Sequence, residues 1–149
     1  MGFGKLSLKG RALKYLAARE HSRAELERKL RPHEEEPGQV EAALDELEAK
    51  GLLSQARFVE SLLHRKSARF GAARIRQELN AHQLDTDAVA QAVGQLQASE
   101  FERAQALWQK KFGTPAIEPA QRVKQMRFLA GRGFSPEVIR RVVRGTDDD

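Results

Sequence analysis

Between Arg57 and Asp85 the apolar residues recur at helical spacing on either side of one glycine. Phe58, Val59, Leu62 and Leu63 fall one turn apart in two adjacent rows, the stripe that a helix buries. The period breaks at Phe70-Gly71, where glycine suits the positive φ or close backbone approach that a turn needs. Ala72, Ile75 and Leu79 then restart it. The pattern predicts a helix, a turn and a second helix.

The spacing returns along the chain. Leu26, Leu30, Val40, Leu44 and Leu47 recur 49 residues later as Ile75, Leu79, Val89, Val93 and Leu96. Leu79, Leu84, Val89 and Val93 recur 50 residues later as Leu129, Phe134, Ile139 and Val143. Ser22 falls on Gly71 in the first register. A fixed period of this length marks a repeat array, here three units over residues 1–53, 54–98 and 99–149. A lone unit of this size buries too little surface to be stable, so the units should stack into an elongated, curved body.

Local signals divide each unit into three helices. In the first, Leu13 and Leu16 mark one helix. Ser22 is an N-cap with Glu25 as its capping-box partner, and Leu26 and Leu30 carry the second helix as far as Arg31-Pro32. Glu34, Glu35 and Glu36 precede Pro37, where a third helix through Val40, Leu44 and Leu47 would welcome acids and proline; Gly51 closes it. Asp85 should cap the third helix of the second unit. In the last unit Phe101, Ala104, Trp108 and Phe112 form a helix with Trp108 in the core, and Phe112-Gly113 echoes Phe70-Gly71. Thr114 to Pro119 then lengthens the turn, Val123, Phe128 and Leu129 carry the next helix to Gly131 and Gly133, and Ser135-Pro136 starts the last.

Composition agrees with an all-α chain: 40% hydrophobic but only 6% aromatic, with no period-two β-branched run and no hairpin dipeptide. The absence of cysteine removes disulfides, thiolate metal sites and cysteine nucleophiles. His21, His33, His64 and His82 show no ligand spacing, so no metal or cofactor is expected. No Ser, His and Asp motif or phosphate-binding glycine loop suggests an enzyme; Gly131-Arg132-Gly133 lacks a preceding strand and a third glycine. The opening MGFGKLSLKG has no apolar core of a leader, has Leu6 where a myristoylation signal wants Ser or Thr, and no stretch reaches membrane-spanning length, so a cytoplasmic protein is expected.

Charge adds a direction. Basic and acidic residues balance ten to ten over residues 1–50, then run six to four over 51–98 and ten to seven over 99–149, the last figure including the terminal Asp147, Asp148 and Asp149. No acid lies between Ser61 and Gln77, a span holding Arg65, Lys66, Arg69, Arg74 and Arg76. A surface of one sign attracts polyanions or an acidic protein face.

The runs RFV at 57–59, GAARIRQELNAHQLD at 71–85 and LAAREHSRAELERKL at 16–30 resemble the RecX family of recombination regulators, over about Leu8 to Val143. Ser54-Gln55-Ala56 departs from that pattern, which commonly has acids there. The resemblance implies a regulator that lies along the RecA filament on single-stranded DNA and inhibits its recombinase, ATPase and LexA-directed coprotease activities. Expected contacts are Arg57, Arg65, Lys66, Arg69, Arg74 and Arg76, with Arg122, Lys124, Arg127 and Arg132 as the third unit's set. The expected partners are the RecA filament and single-stranded DNA, met by a monomer. The competing reading is a direct DNA-binding helix-turn-helix protein, for which only the last helix, with Arg140, Arg141 and Arg144, carries suitable charge. A scaffold for an acidic protein is a third.

Overall fold

The computed structural model describes residues 6–144. The expectations for the opening residues and for the acidic tail at Asp147, Asp148 and Asp149 lie outside the described residues. Nine α-helices and one 3-10 turn follow in order, with no strand among the described residues. They are α1 (Leu8–Ala18), α2 (Arg23–Leu30), the 3-10 turn Arg31–His33, α3 (Gln39–Ala49), α4 (Gln55–Lys66), α5 (Ala72–Asn80), α6 (Thr86–Ala98), α7 (Glu100–Lys111), α8 (Pro119–Gly131) and α9 (Pro136–Arg144).

Two compact units hold these elements. The first runs to Ser61 and includes the turn His82–Leu84. Its core is Ala12, Leu26, Leu30, Val40, Leu44, Leu47 and Leu53, with Leu8, Tyr15 and Leu16 packed against it. Ala12, not Leu13, is the buried residue of α1, and Leu13 faces outward. At the start of α2 the Ser22 hydroxyl accepts from the Glu25 amide at 3.1 Å while the Glu25 carboxylate accepts from the Ser22 amide at 3.0 Å, the expected capping box. Gly38, at φ 91°, is the N-cap of α3. Glu34 reaches past Pro37 to accept from the Val40 amide at 2.9 Å, so one of the three expected acids serves this helix start directly. Gly51, at φ 72°, follows the end of α3, and the Leu52 amide closes back on Leu47.

The second unit holds Leu62–Ala81 and the chain from Asp85 onward. Leu62, Ile75 and Leu79 are buried, as the spacing requires, while α6 buries Ala92 and Leu96 with Val89 and Val93 half-buried beside them. Helices α7, α8 and α9 enclose Ala104, Trp108, Leu129, Phe134, Ile139, Val142 and Val143. Trp108 is a core residue whose indole N–H donates to the buried Gln125 at 2.9 Å. Val123 is exposed instead of continuing the apolar row of α8. Pro119 opens that helix, which has 13 residues against 9 in α5. The extra length of the third repeat is therefore divided between the turn and the helix. Ser135 caps α9, its hydroxyl accepting from the Val138 amide at 3.2 Å.

The compact units cut across the second repeat. The start of α4 and the turn after α5 go with the first unit, the rest with the second. The two core clusters lie within the first and third repeats, and the helices of the second are shared between them.

Candidate functional site

Phe70 ends the turn after α4, and four cations surround its ring. Lys66 Nζ lies 5.5 Å from the ring centroid, and the guanidinium carbons of Arg69, Arg74 and Arg132 lie at 5.5, 4.5 and 5.4 Å. Each is within reach of the negative ring face, worth about 0.5–1 kcal/mol apiece where water has access. Lys66 comes from the last turn of α4, Arg69 from the turn, Arg74 from the first turn of α5, and Arg132 from the end of α8. Arg74 sits at a helix N-terminus, where the backbone dipole already favours an anion. The cation adds to that positive potential.

Two turns touching through glycine bring these groups together. The Gly71 amide donates to the Arg132 carbonyl at 2.7 Å, and a Cβ on Gly71 would lie 2.3 Å from the Gly133 carbonyl oxygen. Gly133, at φ 87°, in turn has room for no Cβ beside Arg74, whose own Cβ would be 2.5 Å away. Arg74 Nη1 donates to the Gly131 carbonyl at 3.2 Å, and Arg132 Nη1 to that of Arg69 at 3.4 Å. Each guanidinium thus directs one N–H into the joint and keeps others for a ligand. Lys66 also approaches Glu78 at 3.8 Å. Arg132 extends the cluster over Phe128 at 5.1 Å, where Lys111 stands at 5.3 Å.

Of the ten basic residues expected as contacts, the structure gathers Lys66, Arg69, Arg74 and Arg132. Arg65 and Arg76 are exposed on α4 and α5, and Arg122, Lys124 and Arg127 are exposed along α8. Arg57 lies in the first unit, bound to the Glu20 carboxylate at 2.9 Å and the Gly51 carbonyl at 2.8 Å. Its charge is used there. Arg141, in the last helix, stands 4.1 Å over Phe101.

Four participants carry little or no local signal. Phe70 shows only as a break in the period, although an aromatic residue inside a run of one charge is itself a signal. Lys111 stands on the expected helix ending at Phe112 with nothing to distinguish it. Glu100 and Arg103 are acid and base within an ordinary amphipathic helix, and Arg103 has the largest role. Its Nη1 donates to the Ser67 and Phe70 carbonyls at 2.6 and 2.7 Å, its Nη2 to Leu96 at 2.7 Å, and its Nε to the Ser99 hydroxyl at 2.9 Å. Burial lowers its pKa, with nearby Glu100 opposing. Glu100 is itself buried, accepting from the Ala72 amide at 2.6 Å and the Ser135 amide at 3.4 Å.

The arrangement is a cation cluster suited to a multiply charged anion, with no metal-holding group of His, Asp or Glu among the described residues. No described helix is long and apolar enough to cross a membrane. Comparison with known proteins matches residues 9–47, 54–93 and 98–143 to the first, second and third three-helix domains of RecX. The chain is 54% identical over 144 residues to the regulatory protein RecX of Leptothrix cholodnii, covering 97% of this chain and 92% of that one. It is likewise 54% identical to that of Ralstonia nicotianae, covering 95% and 89%. The crystal structure of RecX from Lactobacillus salivarius shares the fold, with a TM-score of 0.74 at 19% identity over 92% of each chain. On three matched domains and relatives at this identity, the chain belongs to the RecX family.

Proposed function

We propose that this protein is a non-enzymatic regulator that binds the RecA filament assembled on single-stranded DNA and inhibits its recombinase, ATPase and coprotease activities. The chain is read as three repeats, residues 1–53, 54–98 and 99–149, of which the second and third carry the contact surface, and the protein acts in the cytoplasm as a monomer without cofactor. Curated relatives are named regulatory proteins, and the sequence resemblance supplies RecA as the target. The observation that carries the reading is the convergence of Lys66, Arg69, Arg74 and Arg132 on Phe70. Like charges held this close repel one another, and an incoming polyanion relieves that repulsion. The exposed Arg65, Arg76, Arg122, Lys124 and Arg127 widen the positive surface.

The test is RecA's DNA-stimulated ATPase with this protein titrated in. Wild type should inhibit, and Arg69→Gln/Arg74→Gln/Arg132→Gln should retain helicity yet need at least about tenfold more protein for the same inhibition, since each lost charged contact is worth about 1.5–3 kcal/mol. Tight binding to bare DNA, without preference for the filament and without effect on the ATPase, would instead establish a direct DNA-binding protein.

A further inference from the structure

We infer that Arg103 and Glu100 are positioning residues for the Phe70 cluster: from one face of α7 they hold the peptide groups of residues 67–72 in the conformation that presents the four cations. The inference rests on the binding role proposed above and adds two residues that need not touch the partner.

The turn cannot hold itself. Gly71 occupies the N-cap position of α5 without a side chain to cap it, and the first turn of that helix contains no acid. Both deficits are met from α7. Glu100 supplies the acceptor for the Ala72 amide and the negative charge that a helix start favours. Arg103, one turn further along, binds the carbonyls of Ser67 and Phe70, which lie in the turn beyond α4 and so outside any helical ladder. With the Gly71 amide on the Arg132 carbonyl, the carbonyl of Phe70 and the amides of residues 71 and 72 are all fixed from outside the turn.

The geometry separates this role from that of a contact. Arg103 directs four N–H···O bonds at the protein, three of them to main-chain carbonyls. A planar fork is needed to reach Ser67, Phe70 and Leu96 together. A lysine would keep the charge but lose the fork. If Arg103 merely added to the positive potential, Arg103→Lys would be silent; if it positions the turn, Arg103→Lys is damaging although no charge is lost.

The experiment compares Arg103→Lys, Ser99→Ala and Arg74→Gln in the full chain. Readouts are amide hydrogen exchange at Phe70, Gly71 and Ala72, RecA ATPase inhibition as a function of salt, and binding of labelled oligothymidylate as a polyanion probe. Arg103→Lys should speed exchange at Gly71 and Ala72 and weaken inhibition, each by about tenfold, the loss of one or two charge-assisted hydrogen bonds. Its salt slope should stay that of wild type. Arg74→Gln should do the reverse, lowering the slope on oligothymidylate by about 0.7, one phosphate contact, with exchange at Gly71 speeded less than in Arg103→Lys, because Arg74 gives the joint only one hydrogen bond. Ser99→Ala removes one of the four acceptors and should show the Arg103→Lys pattern more weakly; it decides the matter if Arg103→Lys does not fold. Faster exchange with full inhibition and full probe binding would overturn the inference, as would a salt slope lowered as in Arg74→Gln. A wild type that binds the probe but leaves RecA untouched would sink the filament reading alone, because the positioning role would still be read on the probe.

Discussion

Two structurally equivalent joints behave differently in this molecule. Ser22 and Gly71 stand 49 residues apart at the starts of α2 and α5, and each meets the turn of a following helix pair. Ser22 caps its helix with its own hydroxyl, shares a capping box with Glu25, and lies 2.7 Å from His82 Nδ1. The His82 ring lies tilted against Phe58, with centroids 4.6 Å apart. Gly71 has no side chain and is capped by Glu100 from elsewhere, so its backbone can lie against Gly133. In the 50-residue register Gln83, at φ 55°, answers Gly133, and His82 answers Arg132. The first joint is closed by a side-chain contact, whereas at the second main chain lies directly against main chain and side chains brace it from outside.

The difference carries over to charge. In the first unit most of the described cations are paired with carboxylates: Arg19 with Glu25 at 2.6 Å, Arg23 with Asp45 and Glu48 at 2.9 and 3.0 Å, Arg31 with Glu41 at 2.9 Å, and Lys9 and Lys50 with Glu46 at 2.8 and 2.9 Å, while Lys29 stands over Tyr15 at 4.6 Å. Around the second they stand over aromatic rings. A joint made of side chains consumes polar groups, whereas one made of backbone leaves the surrounding arginines for a ligand.

The largest effect that could break this comparison is at the glycines. Gly133→Ala combines a left-handed backbone with a 2.5 Å clash and should cost about 3 kcal/mol, while Gly71→Ala, whose φ of −80° suits alanine, should cost about 2 kcal/mol from overpacking alone. Chemical denaturation measures both. If either variant is as stable as wild type, the two turns do not touch.

Ser22→Ala, at the equivalent position of the first joint, should cost about 1 kcal/mol, the ordinary value for losing an N-cap. Its cost should fall below that of Gly71→Ala in the same denaturation series. Equal losses would mean that the two joints are built alike.

A pH scan sharpens the contrast. Burial opposes ionisation of Glu25, but the Arg19 guanidinium and the Ser22 amide outweigh it and hold the carboxyl at about 2, below the ordinary 4.5. A depressed carboxyl pKa stabilises the fold above the unfolded value and is lost as pH falls through the folded one. Stability should therefore decline between about pH 4.5 and 2, and Glu25→Gln should flatten part of that slope. Glu46 is also lowered to about 2 by Lys9 and Lys50, but it is exposed, and solvent screening leaves it only a small share. An unchanged acid limb in Glu25→Gln would show that the Arg19–Glu25 pair does not carry it.

The smallest effect concerns Arg57. Held by Glu20 and the Gly51 carbonyl, it should cost under about 1 kcal/mol when changed to glutamine, as exposed pairs do, and leave RecA inhibition within about twofold. A large loss of inhibition would place the contact surface on the first joint as well.

The helices and most of their ends follow from local sequence. Ser22 with Glu25, Gly51 and Ser135-Pro136 are legible because capping is settled within four residues of chain, and Ile75, Leu79, Leu129 and Ile139 are legible because burial follows the helical period. Their side chains needed no distant partner to be placed. Val123 and Leu13 show the limit, since an apolar residue at the edge of a stripe can face either way. Which arginines share a site is set by packing between distant parts of the chain. Arg69 and Arg132 are 63 residues apart and meet through a backbone approach that requires two glycines at once, while Arg57 and Arg103, equally basic in the sequence, are turned to a carboxylate and to main-chain carbonyls. Charge in a sequence fixes the sign of a surface; where each charge is used depends on long-range contacts that no local pattern encodes.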